Sequence, residues 1–319
     1  PELFPELKRR VDQFRRQLRE GKSVDEKIDI WLTGSNQTLL ENAVQESLAG
    51  RASYFDLNTL SLHEIGKLKL SEVMLKGGWP ELYGNQSLNV SSYLNDFIST
   101  FLERDIVAAA GIERSAAFTK TIGLASGRIG QLFNASDLAK NVGVELTTIQ
   151  SWIGRLEQNA IVHILQPYYV NLNQRLIKTP KIYFQDVGLA SRIQGWSEFE
   201  PLFVSPSFGH LVENLALIEI LRFFQNQGVK PEVFFLRSKE KVEIDFLVRL
   251  PNNRWIAAEV KSTPHDFTVE QIKLCEKAGL KVIENWVLTP AIDSYKFKNS
   301  KVISILNIFE ELSRLYVVK

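Results

Sequence analysis

The chain has 319 residues, 45% of them hydrophobic, and a formal net charge of +1. That is apolar material for two or three cores, since domains commonly run to about 100–200 residues. The near-zero charge excludes a global field that would draw the protein to nucleic acid or to an anionic membrane. A single cysteine, Cys275, excludes an internal disulfide framework and Cys-rich zinc sites; it fits a reducing compartment, so a cytoplasmic location is expected. No apolar run approaches the roughly 20 residues that span a bilayer, and PELFPELKRR lacks the apolar centre of a signal peptide, so a soluble protein with no membrane partner is expected.

Pro1 to about Glu20 reads as an amphipathic helix, with Leu3, Phe4, Leu7, Val11, Phe14 and Leu18 near helical spacing. Its outer face carries Lys8, Arg9, Arg10, Arg15, Arg16 and Arg19, and a solvated face is preferred there over a phosphate-binding one. A start at Pro1, directly inside a helix, leads us to expect part of a longer protein. IDIWLTGSN ends in Gly and small polar residues, as buried parallel strands do. NQTLLENAVQESLAG is a helix closed by Gly50, and RASYFDLNTLS is a second strand. The three make a parallel α/β unit too small to stand alone.

From about Glu64 to Ser115 the pattern is helical, interrupted by the turn GGWP at Gly77 to Pro80. Three helical segments follow, AAFTKTIGLASGR, NASDLAKNVGV and ELTTIQSWIGRLEQNA, and then the strand-like IVHILQPYYV. This is the order of a helix-turn-helix with a wing, in which the last helix can enter a DNA major groove. Thr147, Thr148, Gln150, Ser151 and Arg155 are the residues that would face the groove. The same unit also serves as an interdomain or protein-binding spacer, and one arginine with no lysine is a thin supply of the charge that neutralises phosphates. After KTPKIYFQDVGLASRI the last segment reads helix, three strands, helix, strand, and a terminal strand and helix.

The stretch VEIDFLVRLPNNRWIAAEVKST sets Asp245, Glu259 and Lys261 inside apolar strands. In a hairpin centred on Asn252, residues whose numbers sum to about 504 are opposed, so Asp245 falls across from Glu259; an odd-length turn or a bulge would put both on one face. Glu259 and Lys261 share a side by the period of two. Two carboxylates suit Mg²⁺ or Mn²⁺, making Asp245 and Glu259 candidate metal ligands. Such an ion lowers the pKa of a bound water and stabilises charge on a phosphoryl group, while a nearby lysine positions the nucleophile. Glu213 in HLVENLALIEIL has no apolar role and is a candidate third carboxylate. The plain alternative is an exposed strand-edge ion pair.

A helix with Glu, a strand with Asp, and Glu-x-Lys on the next strand resemble the PD-(D/E)xK nuclease superfamily. The resemblance implies metal ligation by Asp245 and Glu259, a catalytic role for Lys261 and a helix carboxylate at Glu213; Gln271 matches a polar position that some members use. PELFPELKRRVD, WLTGSN, ESLAGRASYFDLNTLSLHEI, LKGGWPELY, FISTFLERDI and KTPKIYFQDVGLA extend the likeness to nearly the whole chain. Together they resemble prokaryotic AAA+ type ATPases with a C-terminal domain of unknown function, built from a winged helix and a restriction-endonuclease-like fold. That family binds ATP through Walker A and Walker B segments preceding the PELF phrase, so ATP is implied for the full-length parent only. REGKSVD, at Arg19 to Asp25, fails the phosphate-loop test: Arg16 stands where a glycine is needed and no apolar strand leads in. By the same resemblance Thr33, Ser35 and Asn36 would lie near a γ-phosphate, with Arg51 in LAGR. Arg104 in FLERD would serve nucleotide sensing or, preferably, an ion pair with Glu103 or Asp105.

The expected architecture is therefore a multidomain α/β chain. Residues 1–65 are the C-terminal part of an AAA+ core, 66–185 a helical linker and winged-helix domain, and 186–319 a PD-(D/E)xK nuclease-like domain. The expected function is the C-terminal part of an ATP-binding AAA+ family protein acting with nucleic acid, DNA favoured, and carrying a metal site for phosphodiester hydrolysis. The alternative is a catalytically inactive DNA- or protein-binding regulatory module; a defence or toxin–antitoxin component is a third reading, by analogy alone. Homo-oligomerisation through the ATPase part is compatible with all three.

Overall fold

The computed structural model describes residues 3–21, 30–32, 44, 48–53, 57–66, 69–106, 115–168, 179–263, 265–290 and 294–316, for 103–106 the backbone alone. It is a mixed α/β chain that divides into two compact units, 1–57 and 58–319.

In the first unit, α1 (Leu3–Arg19) is the expected N-terminal helix. Its apolar stripe buries Leu7 against Val44 and Leu48, two helical residues four apart, with Phe4 and Leu32 packed around them. The basic face is exposed, and Glu6 neutralises part of it through Arg9 (2.7 Å) and Arg10 (3.1 Å). Most of the strand and helix expected between 28 and 47 lies outside the described residues. No strand occurs among the described residues of 51–61, where a second one was expected. Asn58 Nδ2 donates to Gln225 Oε1 at 3.2 Å, Thr59 Oγ1 donates to Asp186 Oδ2 at 3.1 Å and Leu60 N donates to Gly78 O at 2.7 Å, so residues 58–60 are tied to Gln225, Asp186 and the GGWP turn. The two compact units part between Leu57 and Asn58.

The second unit begins with short helices, including α2 (Leu70–Lys76). GGWP follows and meets the segment around Asp186. The Asp186 carboxylate accepts from Gly78 N (2.8 Å), Trp79 Nε1 (3.2 Å) and Leu189 N (2.9 Å). A Cβ on Gly77, at φ +65°, would lie 1.9 Å from Asp186 Oδ1, and one on Gly188 would lie 2.3 Å from Gly77 N. Two of the phrases that set this sequence apart are therefore halves of one tight packing contact.

Three helices follow, α3 (Ser115–Ser126), α4 (Ala135–Val142) and α5 (Leu146–Gln158). Asn134 caps α4 by accepting from the N–H groups of Ser136 and Asp137, and Gly143, at φ 89° and ψ 39°, makes the left-handed turn into α5. Ile149, Trp152, Ile153 and Leu156 face inward, with Trp152 edge-on to Phe118 at 5.5 Å. An antiparallel hairpin comes next, β1 (Val162–Leu165) paired with β2 (Lys181–Phe184), and β1 runs on to Tyr168, whose N–H donates to Phe235 O at 2.7 Å.

After α6 (Val187–Ile193) comes α7 (Ser207–Gln225), then a six-stranded mixed sheet. Its strands are β3 (Val233–Arg237), β4 (Glu243–Leu250), β5 (Arg254–Val260), β6 (Lys281–Thr289), β7 (Tyr295–Lys296) and β8 (Lys301–Ser304) in the order β3-β4-β5-β6-β8-β7. The first three form an antiparallel meander, β5, β6 and β8 run parallel, and β7 closes the edge antiparallel. α8 (Val269–Lys277) is the crossover between parallel β5 and β6, as such a connection demands, and α9 (Ile308–Leu315) ends the described chain. Alternation along the strands feeds two cores. Phe246, Val248, Ile256, Ala258, Trp286 and Leu288 pack with α7 and α9, whereas Leu247, Trp255, Ala257 and Val287 pack with Leu274 and Cys275 of α8.

Candidate functional site

The β4–β5 register ends at Phe246↔Ala258, one residue short of Asp245 and Glu259. Directly opposed residues of an antiparallel pair project to the same face, and the connecting turn Pro251–Asn253 has three residues, with Asn252 (φ 62°) and Asn253 (φ 54°) left-handed. The turn is odd, one of the two devices the expectation allowed, and the β4–β5 ladder keeps register from Leu250 to Phe246; on its other edge β4 shifts register against β3 between Leu247 and Ile244, an irregularity that spans Asp245. The ladder ends just beyond Phe246, and there the Asp245 side chain replaces it: Oδ2 accepts from Val260 N at 2.9 Å. Lys261, one residue past β5, is held by its N–H donating to Leu288 O at 2.9 Å, and its ammonium lies 2.9 Å from Glu259 Oε2. Glu259 Oε1 accepts from Gln271 Nε2 of α8 at 2.5 Å. Gln271 also donates to Glu243 O (3.0 Å) and closes a capping box with Thr268, so the helix start and the carboxylate are positioned together.

Glu213 reaches the same cleft from α7. Its Oε1 accepts from Tyr183 Oη at 2.6 Å and from Lys181 Nζ at 3.2 Å. A Cβ on Gly130, at φ +73°, would stand 2.8 Å from Glu213 Oε2, so glycine there keeps room for the carboxylate. Glu213, Asp245, Glu259 and Lys261 line one open cleft of 520 Å³ with Lys181, His210, Arg237 and Glu243. The structure thus brings together all four residues read from the sequence as catalytic, and Gln271 with them.

Sequence reasoning missed the residue at the centre. Lys181, on β2, is 2% exposed, and its ammonium lies 2.5 Å from Glu243 Oε1, 3.2 Å from Glu213 Oε1 and 3.6 Å from Asp245 Oδ1. Glu243 is held in turn by its cross-strand partner Arg237 at 2.7 Å. The signals were faint: Glu243 and Asp245 share a strand face by the period of two, His210 sits one helical turn before Glu213, and Lys181 and Tyr183 are two apart in KIYF.

Burial, and then the Asp245 charge, hold both Glu213 and Glu259 above the ordinary carboxylate range. For Lys181, burial works against the charged form, and Glu213, Asp245 and Glu243 outweigh it, leaving its pKa raised. The same balance raises Lys261, where burial is opposed chiefly by Glu259. Burial raises the Tyr183 hydroxyl, with Glu213 adding to it, and lowers His210, with Lys181 adding to that.

Carboxylates are the hard oxygen donors that Mg²⁺ and Mn²⁺ take. Yet both oxygens of Glu259 are engaged, and one oxygen of Asp245 serves the backbone while the other faces Lys181. No group of three or more His, Cys, Asp or Glu side chains able to hold a metal ion occurs among the described residues. As arranged, these residues do not fit a divalent ion, because ammonium groups already answer the carboxylates.

The other predicted residues lie elsewhere. On α5, Thr147, Gln150 and Ser151 are exposed, and Thr148 and Arg155 are half-buried. Arg51, in the first unit, is held by Asp12 through two contacts of 2.6 and 3.1 Å and donates to Ala49 O at 3.0 Å. Arg104 falls in a π-helical stretch, Ile98–Ile106, and its side chain, like Thr33, Ser35 and Asn36, lies outside the described residues. No described helix is long and apolar enough to cross a membrane.

The AAA domain family matches residues 6–66, Domain of unknown function (DUF8612) matches 67–200, and Domain of unknown function (DUF4143) matches 208–308. An uncharacterized protein of Mycobacterium tuberculosis is 28% identical over 264 residues, which are 82% of this chain and 56% of that protein. An uncharacterized protein of Haemophilus influenzae is 25% identical over 69% of this chain and 56% of its own length. One from Methanocaldococcus jannaschii is 25% identical over 84% of this chain and 62% of its own. The chain therefore spans little more than half the length of these curated relatives. No solved structure gives a significant match. The AAA and DUF4143 matches, one at each end of the chain, support an AAA-like, ATPase-associated protein.

Proposed function

We propose that this chain is the nucleic-acid-binding C-terminal part of an ATPase-related protein, in which a nuclease-like fold serves as a charged docking cleft. The observation that carries the reading is the convergence of Glu213, Asp245, Glu259 and Lys261 at one cleft mouth, from a helix and two adjacent strands. Lys261, whose side chain is 41% exposed, stands at the rim as the cation most available to a phosphate oxygen. Three helices followed by an antiparallel hairpin support a winged-helix assignment for the segment before it. The exposed Thr147, Gln150 and Ser151 on α5 are its groove-facing side chains. ATP belongs to the parent protein; in this chain Arg51 is committed to Asp12.

A second reading, metal-dependent phosphodiester hydrolysis, is favoured by the Glu259–Lys261 pair beside Asp245. It stands second because ammonium groups occupy the carboxylates that a metal ion would need.

Fluorescence anisotropy with a labelled DNA duplex tests the proposal. Binding should saturate and weaken with salt, and Lys261→Glu should lower affinity while reducing the salt slope by about 1. Arg155→Glu should act in the same direction from the other surface. A signal that never saturates, or one unchanged by both charge reversals, overturns the proposal.

A further inference from the structure

Among the polar clusters of the molecule, the cleft has one unusual member. Lys181 comes from the β1–β2 hairpin, whereas the carboxylates it meets come from α7 and β4. An ammonium has three N–H donors and no acceptor, and here three carboxylates surround it while the lysine itself stays 2% exposed at the floor of the cleft. A charge buried this deeply destabilises the fold unless it is paired on all sides. The pairing is mutual, since without Lys181 one buried acid and two half-buried acids would share a small volume with only Arg237 and Lys261 at its margins.

We infer that Lys181 is the resident countercation of the cleft: its ammonium fills the place among Glu213, Glu243 and Asp245 that a divalent cation would otherwise take, and so excludes one. The protein then folds with a complete carboxylate cluster and no need of metal. Lys181 is a positioning residue, because it sets the geometry and charge of the carboxylates rather than touching nucleic acid. The assignment rests on the nuclease-like reading of the cleft, and its test contains no nucleic acid, so its failure leaves the binding measurement standing.

The test is a count of bound Mn²⁺ by the electron paramagnetic resonance of the free ion, on the whole chain. Lys181→Met, which keeps volume and removes charge, should bind one Mn²⁺ at least about tenfold more tightly than wild type. Lys181→Arg, which keeps the charge, should stay at the wild-type level, and Lys181→Met combined with Glu213→Gln and Asp245→Asn should return to it. Where Lys181→Met does not fold in metal-free buffer, recovery of its native circular dichroism on adding Mn²⁺ supports the inference. A folded Lys181→Met that binds no more tightly than wild type overturns it. So does a variant that stays unfolded at every Mn²⁺ concentration, or tight binding that survives in the triple variant.

Discussion

At the scale of single residues, the cleft depends on small allowances as much as on its charges. Gly130 is one: a side chain there would be strained by its φ of +73° and would press on Glu213. Gly130→Ala should lose about 1–3 kcal/mol, read as a lower urea midpoint. His163 on β1 supplies a pH dependence of its own. Burial lowers its pKa to about 4, so the folded state favours the neutral ring. Its contribution to stability is whole above the ordinary value of about 6.5 and is lost as the pH falls from there toward about 4. Melting temperatures across that window should fall more steeply in wild type than in His163→Gln; parallel slopes would show that His163 does not titrate as described.

At the scale of elements, two polar ties join segments distant in sequence. One is the Lys181 cluster, linking the hairpin to α7 and the sheet. The other centres on Arg222 of α7, 4% exposed, which donates to Leu60 O (2.8 Å), Gln185 O (3.1 Å), Glu219 Oε1 (3.1 Å) and Thr59 Oγ1. Glu219 accepts in turn from Leu62 N at 2.9 Å. Arg222→Met leaves Glu219 and Asp186 buried without their cation, and should cost about 3–5 kcal/mol in chemical unfolding. The β4–β5 hairpin was legible because period-two alternation and a Pro-Asn-Asn turn are local signals, and the same logic placed Asp245, Glu259 and Lys261 on one side. Lys181 was not legible, since its meaning lies in carboxylates 32 and more residues away. The strand expected from Tyr54 and Phe55 lies at its centre outside the described residues, whereas Asn58 and Thr59 just after it bind α7 and Asp186.

At the scale of the whole molecule, the two compact units differ in what they bury. The described core of 1–57 is Leu7, Val44 and Leu48 with two partly buried neighbours, whereas helices, hairpin and sheet of 58–319 share one large apolar cluster. A chain of residues 58–319 should therefore unfold in a single cooperative transition by calorimetry. The alternation of helices, hairpin and sheet places an exposed helix face and a charged cleft in one compact unit. The most direct measurement of nucleic-acid binding without cleavage is a single gel in which labelled DNA is incubated with Mn²⁺ and wild type or Lys261→Ala, then read both for retardation and for strand length. We expect wild type to retard the DNA and leave it intact, with weaker retardation by Lys261→Ala. DNA that is never retarded, or that wild type cuts and Lys261→Ala does not, would contradict the central claim.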